Sequence, residues 1–387
     1  MAKYRIKNPK TAAIAALVNA GGYLVWGWGH LGAKNLRSLK PKRILLMQLD
    51  EMGDVLLSTP AFDYLRRAFP EAHITVVVRK IGQLALANNP DIDQIIEIDV
   101  PRFGATIGGS SEDFASVKQA VAEIRKQDSQ DFDLGIDLRA DLRTIAILHK
   151  LKIPVRISQS IRSGGFWLTH TAPFLGEQHE VLRKLGIAKF ATPSSKVKPS
   201  LPLKLPLSEE AAQKARLTLQ ENGIGKDDKY AVLHIFAGWQ PKEWPHNRFA
   251  EIAKYLIKEY QLKTVIIGTK KEAERINKSA LNIEDVHNVA GQTSVDETAA
   301  IIKMASIFVG NDSGPMHIAS AVQTPTVALF GQNTPQRYGP WQNKNVAIYH
   351  QVECSPCPQT ECQRQPRCME LIKVDEVKSA IDKLLSS

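Results

Sequence analysis

Residues 307–331, IFVGNDSGPMHIASAVQTPTVALFG, limit what this chain can fold into more than any other stretch. Residues 307–309 are an apolar run of the kind that fills a buried parallel strand, and Gly310-Asn311-Asp312-Ser313-Gly314 then lets the chain turn tightly. A helix should open at once. Asp312 or Ser313 can cap it, and Pro315 fits its first turn because the missing N–H would be unpaired there anyway. Met316, Ile318 and Ala319 begin its apolar face. Such a helix end offers N–H donors and partial positive charge to a diphosphate, Gly314 allows close approach, and His317 can add a donor. The same residues also suit an ordinary strand-to-helix turn with His317 in the core.

The alternation of strand and helix runs through the rest of the chain. Residues 44–49 read as a strand, and Asp50-Glu51-Met52-Gly53-Asp54 turns into a helix through Val55, Leu56, Leu57, Leu65 and Phe69. Strands are expected at 74–78, 95–98 and 131–138, with helices near 113–126 and 140–150, which makes a doubly wound sheet. Asp54 then lies at the carboxyl edge of a parallel sheet, where ligands of such folds collect, and a carboxylate there can take a proton from a hydroxyl; it can also simply cap its helix. Arg139 and Arg143, four apart on one helical face, can meet an anionic acceptor or face solvent. Residues 103–111 read as a mobile loop of this domain.

A connector follows at 196–208, KVKPSLPLKLPLS, where three prolines favour extended chain. Beyond it, 230–236 and 265–267 read as strands and 247–260 as a helix. The loop after the first of these carries Lys242 between Trp239 and Trp244, where a stiff turn can hold a point charge against a departing diphosphate. The expected layout is an amino-terminal segment at 1–41, a first domain at 42–195, the linker, a second domain at 209–350 and a tail at 351–387.

Three stretches resemble one family. Asp312-Ser313-Gly314-Pro315-Met316-His317 fits a D-[ST]-G-x-x-H pattern, and LLMQLDEMGDVLLSTPAFDYLRRAFPEAHITVVVR resembles a family opening built on G-D-[VM]-[LI]. His234 to Pro245, H-x7-K-x-W-P, is similar to a second-domain motif. The family is that of the ADP-heptose:lipopolysaccharide heptosyltransferases, glycosyltransferase family 9, and the resemblance runs from about residue 42 to 385. It implies the glycosyltransferase B architecture: two doubly wound, Rossmann-like α/β domains facing a cleft, acceptor on the first, with the loop at 103–111 over it, and nucleotide sugar on the second. It further implies inverting transfer of heptose from ADP-L-glycero-D-manno-heptose to the inner core of lipopolysaccharide, with Asp54 as catalytic base. Lys242, Asp312, Ser313, Gly314 and His317 would bind the donor, Glu272 would meet its ribose, and no cofactor would be required. RISQSIRSGGFWLTH, residues 156–170, resembles the core-branching type III enzymes.

Other readings stay open at this stage: another nucleotide sugar, a type I or II acceptor, or a non-catalytic membrane-associated scaffold or metal or redox sensor. A dinucleotide oxidoreductase is disfavoured, because no G-x-G-x-x-G follows either first strand. An excess of 50 basic over 40 acidic residues gives +10, which suits an anionic partner. Nucleic acid is not expected, for the chain has no zinc-finger spacing, RNA-binding aromatic pattern or dense basic arm.

The two ends stand apart. Residues 11–33 hold no Asp, Glu, Lys or Arg, contain Tyr23, Trp26 and Trp28, and lie between Lys3, Arg5, Lys7 and Lys10 on one side and Lys34, Arg37, Lys40, Lys42 and Arg43 on the other. This pattern is expected of a segment on the inner face of the inner membrane of a cytoplasmic protein, although a fold-packed or disordered extension also fits. Cys354, Cys357, Cys362 and Cys368, the chain's four cysteines, are spaced C-x2-C-x4-C-x5-C. Four thiolates so close suit a structural zinc or iron–sulfur site away from the chemistry.

Overall fold

Apolar runs too short for helices become the strands of two parallel sheets. The computed structural model describes residues 17, 19–25, 33–99, 111–161, 164–276, 283–355, 357, 362 and 367–386, and the chain divides into two units, Met1–Leu201 and Pro202–Ser387. In the first unit β1 (Arg43–Met47), β2 (His73–Val78), β3 (Gln94–Glu97), β4 (Leu134–Asp137), β5 (Val155–Ser158) and β6 (His170–Thr171) are ordered β3-β2-β1-β4-β5-β6. In the second, β7 (Tyr230–His234), β8 (Lys263–Ile266), β9 (Val286–Asn288), β10 (Ile307–Asn311), β11 (Thr326–Phe330) and β12 (Asn345–Tyr349) are ordered β12-β11-β10-β7-β8-β9. Paired strands run parallel in both sheets.

Each order is the doubly wound one, read from opposite edges. In such a sheet the connections leave in opposite directions from the two central strands, so their loops open a crevice at the carboxyl edge. The central pairs are β1 with β4 and β7 with β10. Helices cover the sheets through apolar faces: Ser111–Gln127 and Leu142–Lys150 bury Val117, Ala120, Ile124, Ile145 and Leu148 in the first unit. In the second unit His246–Tyr260 contributes Phe249, Ile252 and Leu256, and the closing helix Val374–Leu385 contributes Val377, Ile381 and Leu384.

Two local expectations change. The single helix expected after β1 is two, Met52–Leu56 and Thr59–Ala68. Ser58 N–H bonds the Val55 carbonyl (2.9 Å), one residue short of helical register, and Pro60 starts the second helix, since proline tolerates only a first turn. Arg139 and Arg143 do not share a helical face either. The helix begins at Leu142 with Asp141 as its cap, and Arg139 lies in the preceding loop next to Ala140, whose φ is 60°. The loop read at 103–111 lies, but for residue 111, outside the described residues, as does most of 11–33. No described helix is long and apolar enough to cross a membrane.

Candidate active site

In the first unit Asp54 falls in the first turn of Met52–Leu56, directly after β1. The helix break decides what surrounds it. Ser58 N–H is engaged by Val55, so the Asp54 carbonyl loses its usual helical donor and accepts instead from Ser58 Oγ (2.9 Å), Gln48 Nε2 (3.4 Å) and Lys184 Nζ. Lys184 Nζ also bonds Ser58 Oγ (3.0 Å). Lys184 comes from the helix Glu180–Phe190 and is only 1% exposed.

Part of Asp54's surface reaches solvent, yet protein packs closely enough around its carboxyl that loss of hydration is the main cause raising it to about 7. Asp50 and Glu180 push in the same direction, while Lys184 and Arg139 pull against them. Asp50 is itself held by Gln48 Nε2 (2.8 Å) and Arg139 Nη1 (2.6 Å).

Arg139 is placed by a buried carboxylate. Asp137, at the end of β4, accepts from the N–H groups of Arg139 (3.1 Å) and Ala140 (2.8 Å) and from Ser158 Oγ (2.8 Å). These bonds hold Ala140 in a left-handed conformation that costs a non-glycine residue energy. Burial pushes Asp137 up to about 6 despite those donors. Arg139 also bonds the Leu49 carbonyl (2.7 Å), so it bridges the loops after β1 and β4. Arg143 differs from the expectation of an acceptor contact: it is buried, and its Nε and Nη2 engage Asp141 (2.9 and 3.0 Å), which leaves it clamping a helix cap.

In the second unit the loops after β7 and β10 bring the expected donor residues together. Lys242 Nζ bonds Asp312 Oδ2 (2.7 Å), and Asn333 Nδ2 bonds the same oxygen (2.7 Å). Ser313 is the cap of Gly314–Ala321, but its hydroxyl turns to His234 Nδ1 (3.0 Å) and the Asn311 carbonyl (3.1 Å) rather than to the helix's N–H groups. His317 is buried on the first turn. On the other side of His234, Nε2 is 3.9 Å from Glu272 Oε2, and that oxygen accepts from Thr269 N–H (2.6 Å). Burial would raise the Glu272 carboxyl, but His234 and Thr269 hold it below its usual range.

Asn311 ties these loops to the sheet. Its side chain donates to the Ile235 carbonyl (2.9 Å) and accepts from Trp244 N–H (3.1 Å), fixing the turn that carries Lys242. The Trp244 indole donates to the Ile372 carbonyl (3.0 Å), so the residues leading into the closing helix brace the same turn.

The cysteine tail lies along the loop after β11. Cys357 N–H bonds the Gln332 carbonyl (2.9 Å) and Ser355 Oγ the Gly331 carbonyl (2.9 Å), next to Asn333. All four cysteines are free thiols, and burial pushes up the Cys368 thiol, with Cys362, Cys354 and Cys357 near enough to add to it. Among the described residues no group of three or more His, Cys, Asp or Glu is arranged to hold a metal ion.

With this geometry in place, comparison with known proteins decides the family. The sequence model of glycosyltransferase family 9 (heptosyltransferase) matches residues 121–367. The chain belongs to that family. It is therefore a glycosyltransferase. The Escherichia coli (strain K12) protein named lipopolysaccharide heptosyltransferase 3 is 27% identical over 347 residues, 86% of this chain and 95% of the relative. Lipooligosaccharide heptosyltransferase 2 of Campylobacter jejuni (serotype O:6) is 26% identical over 86% of this chain and 96% of its own length. Among solved structures, a family 9 glycosyl transferase from Veillonella parvula DSM 2008 superposes with a TM-score of 0.74 at 24% identity over 92% of this chain and 99% of that one. The E. coli ADP-heptose lipopolysaccharide heptosyltransferase II gives 0.67 at 21% identity, covering 89% of this chain and 98% of that one. These likenesses confirm the fold: two parallel α/β sheets of the glycosyltransferase B kind.

Motif reading missed Asp50, Asp137 and Lys184 in the first unit and Asn311 and Asn333 in the second. Asp50 stood inside the quoted stretch. Lys184 had no local signal, since a lysine in an amphipathic helix reads as solvated until the topology carries it under Asp54.

Proposed function

We propose that this glycosyltransferase is the inverting heptosyltransferase that the resemblance implies, moving heptose from ADP-L-glycero-D-manno-heptose to the inner core of lipopolysaccharide, with a core-branching acceptor. The observation that carries this reading is the placement of Asp54 on the first helical turn after β1, at the carboxyl edge of the sheet, where loss of hydration raises its carboxyl. A base works best when its pKa is close to the working pH. Asp54 takes the proton of an acceptor hydroxyl as that oxygen attacks the anomeric carbon. The new C–O bond forms opposite the bond to the β-phosphate, which breaks with its electron pair on ADP. Lys242, His317 and the N–H groups opening Gly314–Ala321 meet the charge on the leaving diphosphate, while Asp312 and Asn333 keep Lys242 in place and Glu272 accepts from the ribose. These donors supply the positive charge, so the proposed chemistry draws on no cofactor.

The enzyme works, in this reading, at an anionic lipid surface on the cytoplasmic side. Within residues 19–25 Tyr23 packs on Phe166 while Leu24 and Val25 stay exposed, and a basic run begins at Lys34 in the sequence. Apolar side chains next to lysines suit a bilayer interface. Sedimentation with anionic vesicles, lost on deletion of residues 1–33, checks this part.

The function is tested by mass spectrometry of a panel of heptose-deficient core lipopolysaccharides incubated with the protein and ADP-heptose. Gain of one heptose on a single acceptor is expected and names the subtype. ADP-heptose left unbound and unconsumed across the panel points to another nucleotide sugar.

A further inference from the structure

We infer that Lys184 is the positioning residue of the transfer reaction: a buried ammonium that pins the backbone of Asp54 and sets the pH at which Asp54 can act as base. The inference rests on Asp54 being that base, and goes beyond it by naming what makes the base usable.

Three observations carry it. First, the ammonium is in an expensive place. Lys184 is 1% exposed, and a buried charge persists only where partners compensate it. Its Nζ bonds the Asp54 carbonyl and Ser58 Oγ, both neutral acceptors on the broken turn after β1. Second, that carbonyl is available only because the helix breaks, with Ser58 N–H turned to Val55. Lys184 therefore takes the place of a lost helical bond and fixes the turn from which the Asp54 side chain projects. Third, the charges around Asp54 are arranged about a single balance. From its own loop Asp50 faces it, from the loop after β4 Arg139, and from the helix Glu180–Phe190 both Glu180 and Lys184. Arg139 is engaged with Asp50 (2.6 Å), and Arg183 Nε with Glu180 (2.7 Å). Lys184 is thus the cation of this group that bonds directly to Asp54's own backbone.

Burial drives the Lys184 ammonium towards deprotonation, and Asp54, Asp50 and Glu180 hold its proton on. Removing the ammonium while keeping the carboxylates leaves Asp54 facing Asp50 and Glu180 with Arg139 as the remaining offset, so its proton is held more tightly. The rate should then be recovered by raising pH. A residue that served packing alone would lower the rate equally at every pH.

The test is the pH dependence of kcat/KM for transfer from ADP-heptose to the accepted core acceptor, for wild type, Lys184→Met and Glu180→Gln. Asp54→Asn serves as reference. Wild type is expected to rise tenfold per pH unit up to about 7. Lys184→Met should move that limb upward by at least one pH unit and regain activity near pH 9, and Glu180→Gln should move it downward. Lys184→Met replaces a buried charge by an apolar chain of similar length, so its thermal unfolding is measured alongside. If it fails to fold, Lys184→Gln, which removes the charge but keeps a polar group near Ser58 Oγ, takes its place. A limb at the wild-type position in every folded variant overturns the inference. Full activity in Asp54→Asn overturns instead the reading of Asp54 as base, and the two failures are thereby told apart.

Discussion

In the first unit the loops after β1 and β4 gather carboxylates: Asp50, Asp54 and Asp137, tempered by Arg139 and Lys184. In the second unit the carboxyl ends of β7, β10 and β11 gather donors, His234, Lys242, Asn333 and a helix N-terminus, tempered by Asp312 and, after β8, by Glu272. Strand order is the same in both, so topology alone does not decide which chemistry a crevice performs. The charge placed there does. In the proposed reading one crevice holds a proton near neutrality and the other receives an anion.

The sharpest way to break this comparison is to remove the proton acceptor. Asp54→Asn should lower kcat by about 10³-fold or more while leaving the affinity for ADP unchanged, measured by steady-state kinetics and calorimetry. Lys242→Met should do the reverse kind of damage, weakening ADP binding as well as lowering kcat by roughly 10²-fold, because its charge meets the diphosphate both bound and leaving. If both variants lost donor affinity equally, the division of labour would fail.

A third consequence concerns stability. The raised carboxyl of Asp54 keeps its proton in the folded state between its ordinary 3.8 and about 7, where the unfolded chain has already lost it. Folding therefore binds a proton in that window, and this group's contribution to stability falls as pH rises through it. Asp54→Asn should be more stable than wild type at pH 8, by on the order of 1–3 kcal/mol, with the gain vanishing towards pH 4 in urea unfolding curves. A variant less stable than wild type at pH 8 would show that the carboxylate is not strained there.

Smaller effects are expected at the edges of the second crevice. Glu272→Gln should weaken ADP binding by about tenfold or less, since one charge-assisted bond is worth roughly 1.5 kcal/mol. Cys368→Ala should change it by less than about threefold. Its thiol lies beside Gly331, where a Cβ would be 2.7 Å from the sulfur.

Much of this could be read from local pattern. The strands at the two switch points were legible because a strand, a turn and a helix start must follow one another within a dozen residues, whereas Asp54, Lys242 and the turn from Asp312 to His317 stood out through the family resemblance. The closing helix Val374–Leu385 is local in the same sense as those strands, its buried residues Val377, Ala380, Ile381 and Leu384 recurring at helical spacing. What local pattern did not carry was pairing across distance. Lys184 meets Asp54 only after a helix packs under another, and Asp137 matters because β4 is placed beside β1. The break at Ser58 was missed because apolar residues recur at helical spacing on both sides of it, and one of the competing bonds of the Asp54 carbonyl comes from Lys184, far along the chain.

The central claim is that the proton is handled by the first unit and the donor by the second. Its most direct test is a single-turnover experiment with Asp54→Asn, in which ADP-heptose binding is measured by calorimetry and heptose on the core acceptor by mass spectrometry in the same samples. The account predicts wild-type donor affinity with no transferred heptose. Heptose transferred at the wild-type rate would contradict it.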